Sequence, residues 1–150
     1  MPWLPKRARE PRGGNRRGGR GEVMRPAAIL IIEDYASVRT MLAQLLADVG
    51  YRIYVAANGR QGLEQFRAYP VDLVLTDLEM PEMNGLDVIK ELTRTGLDVK
   101  IIAMTGVDSG ELEKAKLYGA RQIFPKPLDL RALLHAIQYE LGQTNLEQAS

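Results

Sequence analysis

From Ala27 onward, short apolar runs alternate five times with stretches whose apolar residues recur at helical spacing, and the links between them are short. This alternation leaves few folds open. Strands joined by crossover helices form a parallel sheet covered on both faces, and the crossovers are right-handed. The apolar runs fall at residues 28–32, 51–55, 71–76, 100–104 and 121–124. The first reads Ala-Ile-Leu-Ile-Ile, the texture of a strand buried on both sides. After it, Val38, Met41, Leu42, Leu45, Leu46 and Val49 mark a helix that Gly50 stops. Asn58 is placed to cap a second helix with Leu63 and Phe66 inward, and Asn84 a third with Leu86, Ile89 and Leu92 inward. Ser109 is the expected cap of a weaker fourth helix bearing Leu112, Ala115 and Tyr118, ended by Gly119. Asp129 is the expected cap of the fifth, with Leu130, Leu133, Leu134, Ile137 and Leu141 on one face.

The predicted fold is therefore α/β: a five-stranded parallel sheet of order 2-1-3-4-5, flavodoxin-like, with helices on both faces, over residues 26–142. Such sheets bind ligands outside the carboxyl ends of the strands, at the switch point between strands one and three. Polar residues stand where the apolar runs end: Glu33 and Asp34, Asp77, Thr105 and Lys126. Three acids, a hydroxyl and an ammonium in one crevice suit a divalent metal and a phosphoryl group. Ionised, these groups sum to about −2, and two unit charges 4 Å apart interact by roughly 4 kcal/mol at an effective dielectric near 20. A phosphoryl donor meets that repulsion unless Mg²⁺, which favours a few carboxylates with phosphate and water, brings the crevice near neutrality.

Composition excludes other chemistries. The chain has no cysteine, which removes disulfides, thiolate metal sites and cysteine nucleophiles. Its longest uninterrupted apolar run, residues 27–32, is far too short for a bilayer span, so no membrane partner is expected and a cytoplasmic location is. The net charge of +1 conceals an asymmetry. Residues 1–25 carry eight Lys/Arg against two acids, whereas the remainder carries twelve against seventeen. Residues 1–25 read as a disordered Arg/Gly-rich leader without an apolar signal core, and residues 143–150 as a frayed tail. The leader has two readings. It is a nucleic-acid or acidic-partner tail, or an extension upstream of a translation start at Met24; the second is favoured.

The string Ile31-Ile32-Glu33-Asp34, then Asp77-Leu78-Glu79-Met80-Pro81 with Met83-Asn84-Gly85, then Met104-Thr105-Gly106, and finally Gly119-Ala120 with Lys126-Pro127, resembles the receiver domain of response regulators, of the chemotaxis-regulator type. The resemblance covers residues 27–141. It implies that Asp77 accepts a phosphoryl group from a histidine kinase or a histidine phosphotransfer protein. It further implies that Glu33, Asp34 and Asp77, with the backbone carbonyl of Glu79, hold Mg²⁺. Thr105 binds a phosphoryl oxygen after activation, and Lys126 pairs with the acceptor carboxylate and then the phosphate. The Lys126-Pro127 bond is expected to be cis. Residues 109–124 are the expected output face for a downstream protein. Glu79 and Val107 are the positions expected to control access of water to the acyl phosphate. With little chain beyond the fifth helix, a stand-alone receiver is expected, acting as a phosphorylation-activated signalling switch.

Such a protein is not an enzyme beyond catalysing its own phosphorylation and dephosphorylation. Alternatives are a phosphorelay carrier, a constitutive binding module and an aspartate-based Mg²⁺-dependent phosphatase. The last wants Asp-x-Asp-x-Thr at the first strand, whereas Asp77-Leu78-Glu79-Met80-Pro81 lies at the third. Some positions depart from the receiver pattern. Ile123 stands where an aromatic switch residue is frequent, Leu128 where phenylalanine is, and Arg121-Gln122 where an acidic pair is common. His135, the single histidine, is read as structural, and Met41, Met80, Met83 and Met104 as packing residues.

Overall fold

The computed structural model describes residues 25–96, 98–106 and 110–143. Five strands alternate with five helices: β1 (Ala28–Ile32), α1 (Ala36–Val49), β2 (Arg52–Ala56), α2 (Gly59–Ala68), β3 (Leu73–Asp77), α3 (Gly85–Arg94), β4 (Lys100–Thr105), α4 (Glu111–Tyr118), β5 (Gln122–Pro125) and α5 (Leu130–Glu140). All pairings are parallel and the strand order is β2-β1-β3-β4-β5, as the alternation implied.

The period-2 geometry of a strand divides its side chains between two cores. On one face, Leu30 and Ile32 of β1, Val74 of β3 and Ala103 of β4 pack with Leu63 and Phe66 of α2, Val88 and Ile89 of α3, and Ala115 of α4. On the other, Ile29, Ile31, Leu75 and Met104 pack with Leu42 and Leu46 of α1 and Leu133 and Ile137 of α5. Full burial of each aliphatic side chain is worth about 1.5–3 kcal/mol. These two layers therefore hold the sheet, and with it the register of its ends.

Three of the helix signals operate as read. The Asn58 side chain accepts from Gln61 N–H at 2.8 Å, Asn84 from Asp87 N–H at 3.0 Å and Asp129 from Ala132 N–H at 3.1 Å. Each satisfies one of the donors a helix start leaves open. Gly50 ends α1 at φ 117°, a conformation that costs glycine little and other residues much.

Several details differ from expectation. The third strand begins at Leu73 rather than Val71; Asp72 stands at its mouth, its carboxylate accepting from Ala28 N–H at 2.8 Å and its own N–H donating to Ala28 O at 2.8 Å. β5 runs one residue later than predicted, although Arg121 N–H still bonds Ile101 O at 2.7 Å. Gly110 precedes α4 and supplies no side-chain cap, and Ser109 lies outside the described residues. Met41 and Val49 are exposed, whereas the small Ala43 is buried, which turns the inner face of α1 away from them. His135 is exposed too, since two residues from Leu133 is roughly 200° around a helix. It has no core role. No helix among the described residues is long and apolar enough to cross a membrane.

Candidate functional site

Register brings the strand ends together. Ile32 of β1 pairs with Ala56 and Thr76, Asp77 of β3 with Met104, and Thr105 of β4 with Pro125 of β5. The residues that follow or end these strands thus share one rim. Carboxylate oxygens of Glu33, Asp34 and Asp77 lie within 4.8 Å of one another, a group that could hold a metal ion. Glu33 is fully buried and Asp77 is 2% exposed, while Asp34 opens to solvent.

Fixed partners orient this cluster. Lys126 Nζ lies 3.2 Å from Glu33 Oε1 and 3.3 Å from Asp77 Oδ2. The second Glu33 oxygen accepts from Tyr35 N–H at 3.1 Å. Asp77 Oδ1 accepts from Glu79 N–H at 3.3 Å. The Arg39 guanidinium reaches back from the first turn of α1 and donates to the Glu33 carbonyl at 2.8 Å, fastening the β1–α1 connection. The Lys126-Pro127 bond is cis.

Behind Asp77 the backbone is tightly backed. Gly85 opens α3 with its N–H bonded to Leu78 O at 3.1 Å. A Cβ there would collide with the Asp77 carbonyl oxygen and stand 2.7 Å from Leu78 Cα. Only glycine allows α3 to start so close to the strand end that carries the acid.

Electrostatics follow from this crowding. Burial pushes the Asp77 carboxyl up from 3.8 to about 7, with the neighbouring Glu33 adding to the rise; Lys126 and the Glu79 N–H pull the other way without cancelling it. Burial alone would lower Lys126, but the Asp77 and Glu33 carboxylates outweigh it and leave its pKa raised. A site that strains to hold its negative charge is one that gains from a bound cation.

All the predicted side chains except one meet around this cluster. Thr105 sits at the rim, 5% exposed, but its hydroxyl is turned to Glu79, donating to Oε2. The other Glu79 oxygen accepts from Gly106 N–H at 2.8 Å. Sequence reasoning gave Glu79 a role through its carbonyl and through water access, and missed this side-chain contact. No spacing rule announces it, because it crosses between two loops. Arg39 was missed as well, although its place six residues after Glu33 puts it on the first turn facing the connection. Val107 lies outside the described residues.

A family model, the response regulator receiver domain, matches residues 29–138, and the chain belongs to that family of two-component signalling domains. Among curated proteins, the chemotaxis protein CheY of Thermotoga maritima is 34% identical over 112 residues, covering 73% of this chain and 92% of that protein. The transcriptional regulatory protein ZraR of Klebsiella oxytoca is 35% identical over 122 residues, 81% of this chain. The chain spans only 28% of that relative's length, and 52% of the response regulator MprA of Mycolicibacterium vanbaalenii. Among solved structures, a CheY-like receiver domain protein from Methanospirillum hungatei superposes with TM-score 0.75 at 28% identity, over 82% of this chain and 99% of that one. CheY4 of Vibrio cholerae does so with TM-score 0.72 at 28% identity, over 77% and 98%.

Proposed function

We propose that this domain is a phosphorylation-controlled switch in which Asp77 accepts a phosphoryl group from a phosphohistidine of a kinase or phosphotransfer protein. The observation that carries the reading is the rim itself: three carboxylates within 4.8 Å of one another, with one ammonium touching two of them. Hard oxygen donors in that number fit Mg²⁺ better than a soft or tetrahedral metal. Glu33, Asp34, Asp77 and the backbone carbonyl of Glu79 would hold it, and the ion supplies charge neutralisation between carboxylate and phosphoryl oxygens.

The chain's own groups do the rest. An ionised Asp77 oxygen attacks phosphorus, forming an acyl phosphate. The P–N bond of the donor breaks, and its electron pair returns to the imidazole nitrogen, which takes up a proton. Lys126, already 3.3 Å from Asp77 Oδ2, stays to pair with the added negative charge. Positioning, rather than acid or base work, is what the site contributes.

Phosphorylation exchanges about one negative charge on Asp77 for roughly two, by analogy with other phosphorylated side chains. Thr105 and Lys126 are the donors within the site that this charge recruits. Thr105 leads into α4, so residues 109–124 are the surface where the signal emerges toward a downstream protein. The absence of an aromatic ring at Ile123, which packs partly buried against the β-sheet core, makes that coupling aliphatic. Cytoplasmic kinases are the fitting donors. Transcriptional regulation, which the name of ZraR states for that relative, belongs to the same range of outcomes.

Incubation with acetyl phosphate tests the reading. Mg²⁺-dependent incorporation of one phosphoryl group per chain, abolished in Asp77→Asn, is the expected result. Steady turnover of a phosphomonoester would favour the phosphatase instead, and no incorporation by the folded protein would leave a binding module.

A further inference from the structure

The Glu79 side chain makes a contact that phosphoryl transfer does not require. Its carboxylate bridges two adjacent donors at the end of β4, taking the Thr105 hydroxyl on Oε2 and the Gly106 N–H on Oε1 at 2.8 Å. The bridge lies inside the crevice and not beside it. A Cβ on Gly106 would stand 3.8 Å from Glu79 Oε1 and equally 3.8 Å from Cδ of Lys126, the residue whose ammonium touches Asp77. The donor pair is therefore filled by an anion of the chain itself. A hydroxyl and a main-chain amide gripping two oxygens of one anion is also how a phosphoryl group is held.

We propose that Glu79 is a resident competitor for the phosphoryl group. While Asp77 is unmodified, its carboxylate occupies the Thr105 hydroxyl and the Gly106 amide, and a phosphoryl group on Asp77 gains those donors only by displacing it. The proposal rests on the receiver reading of Asp77. The contact lowers the apparent affinity for a phosphoryl ligand by the fraction of molecules in which the bridge is open. It also holds Thr105 in its inactive position without any help from an aromatic switch, for which Ile123 leaves no ring. Glu79 acts as a positioning residue, through Thr105 and Gly106.

Two substitutions separate bridging from mere charge. Glu79→Gln removes the charge and one acceptor oxygen. Glu79→Asp keeps the charge but shortens the arm by roughly 1.5 Å, one carbon–carbon bond, so that it cannot span both donors. The probe is beryllofluoride with Mg²⁺, titrated into the full chain by calorimetry, with amide NMR of the ligand-free proteins alongside. Both variants are expected to bind about tenfold more tightly than wild type, equivalent to 1.4 kcal/mol, the scale of one charge-assisted hydrogen bond. Both are also expected to shift the Gly106 amide signal before any ligand is added. Wild-type affinity in Glu79→Asp together with tighter binding in Glu79→Gln would overturn bridging in favour of charge repulsion. An unchanged Gly106 signal in both variants would overturn the bridge itself. If no protein binds beryllofluoride while the Gly106 signal still shifts, the receiver reading fails and the competitor role falls with it.

Discussion

Replacing the buried acid at the centre of the site should make the metal-free domain more stable, not less. Asp77 titrates near 7 in the folded chain, against 3.8 unperturbed, because burial and Glu33 disfavour its charge. Between about pH 4 and 7 the folded state therefore holds a proton that the unfolded chain has released. The stability this proton lends is complete below about pH 4 and lost as pH rises through about 7. At 1.36 kcal/mol per pH unit, ionising Asp77 in the fold costs on the order of 4 kcal/mol by pH 8. Asp77→Asn keeps the shape and drops the charge. Its amide can turn the oxygen to Lys126, but its N–H₂ group is left against the crevice, which takes back about 1–2 kcal/mol. The net expectation is a gain of roughly 2–3 kcal/mol at pH 8, shrinking to less than about 1 kcal/mol at pH 5. Urea unfolding followed by circular dichroism in EDTA at pH 5, 6, 7 and 8 measures it as a rise in midpoint at constant slope. A variant less stable than wild type at pH 8, or a difference that ignores pH, would refute the electrostatic account.

The same crowding gives two further expectations. Mg²⁺ should stabilise the domain by about 2.7 kcal/mol at a concentration a hundred times its Kd, and Asp34→Ala should remove most of that gain; a thermal melt unmoved by Mg²⁺ would contradict the metal assignment. Gly85→Ala should cost about 3 kcal/mol or more, because the added methyl meets backbone atoms of Asp77 and Leu78 that cannot step aside. Denaturant unfolding at wild-type stability would show that α3 retreats freely.

The architecture was legible because periodicity is a local property. Five apolar runs and five helical stripes needed only their spacing; crossover handedness narrowed the topologies, and the order 2-1-3-4-5 came from the flavodoxin-like arrangement that a five-stranded chain of this length fits. The polar residues at the strand ends were legible for the same reason: once the strands are parallel and adjacent, Glu33, Asp77 and Thr105 have nowhere else to be. Less readable were positions set by contacts between loops. The Glu79 carboxylate reaches Thr105 across 26 residues of sequence, and nothing in the string Asp77-Leu78-Glu79 says where its rotamer points. The stripe centre was misjudged in α1, where the small Ala43 carries burial that was assigned to Met41 and Val49; in α5 all five expected residues lie in or against the core. Strand boundaries slipped by one or two residues, as at Asp72, whose main chain still bonds Ala28 O and Lys100 N–H while its carboxylate takes Ala28 N–H.

The far end of α4 is pinned. Thr93 of α3 donates its hydroxyl to the Tyr118 carbonyl at 2.8 Å, and the Lys90 ammonium stands 5.2 Å from the centre of the Tyr118 ring. At the near end the residue before the helix is Gly110, which has no side chain with which to cap it. An eight-residue helix is a rod about 12 Å long. If the proposed signal arrives through Thr105, the clasp at Tyr118 sets its form: with that tip held by α3, a displacement at the other end would turn the rod about Tyr118 rather than carry the whole helix along.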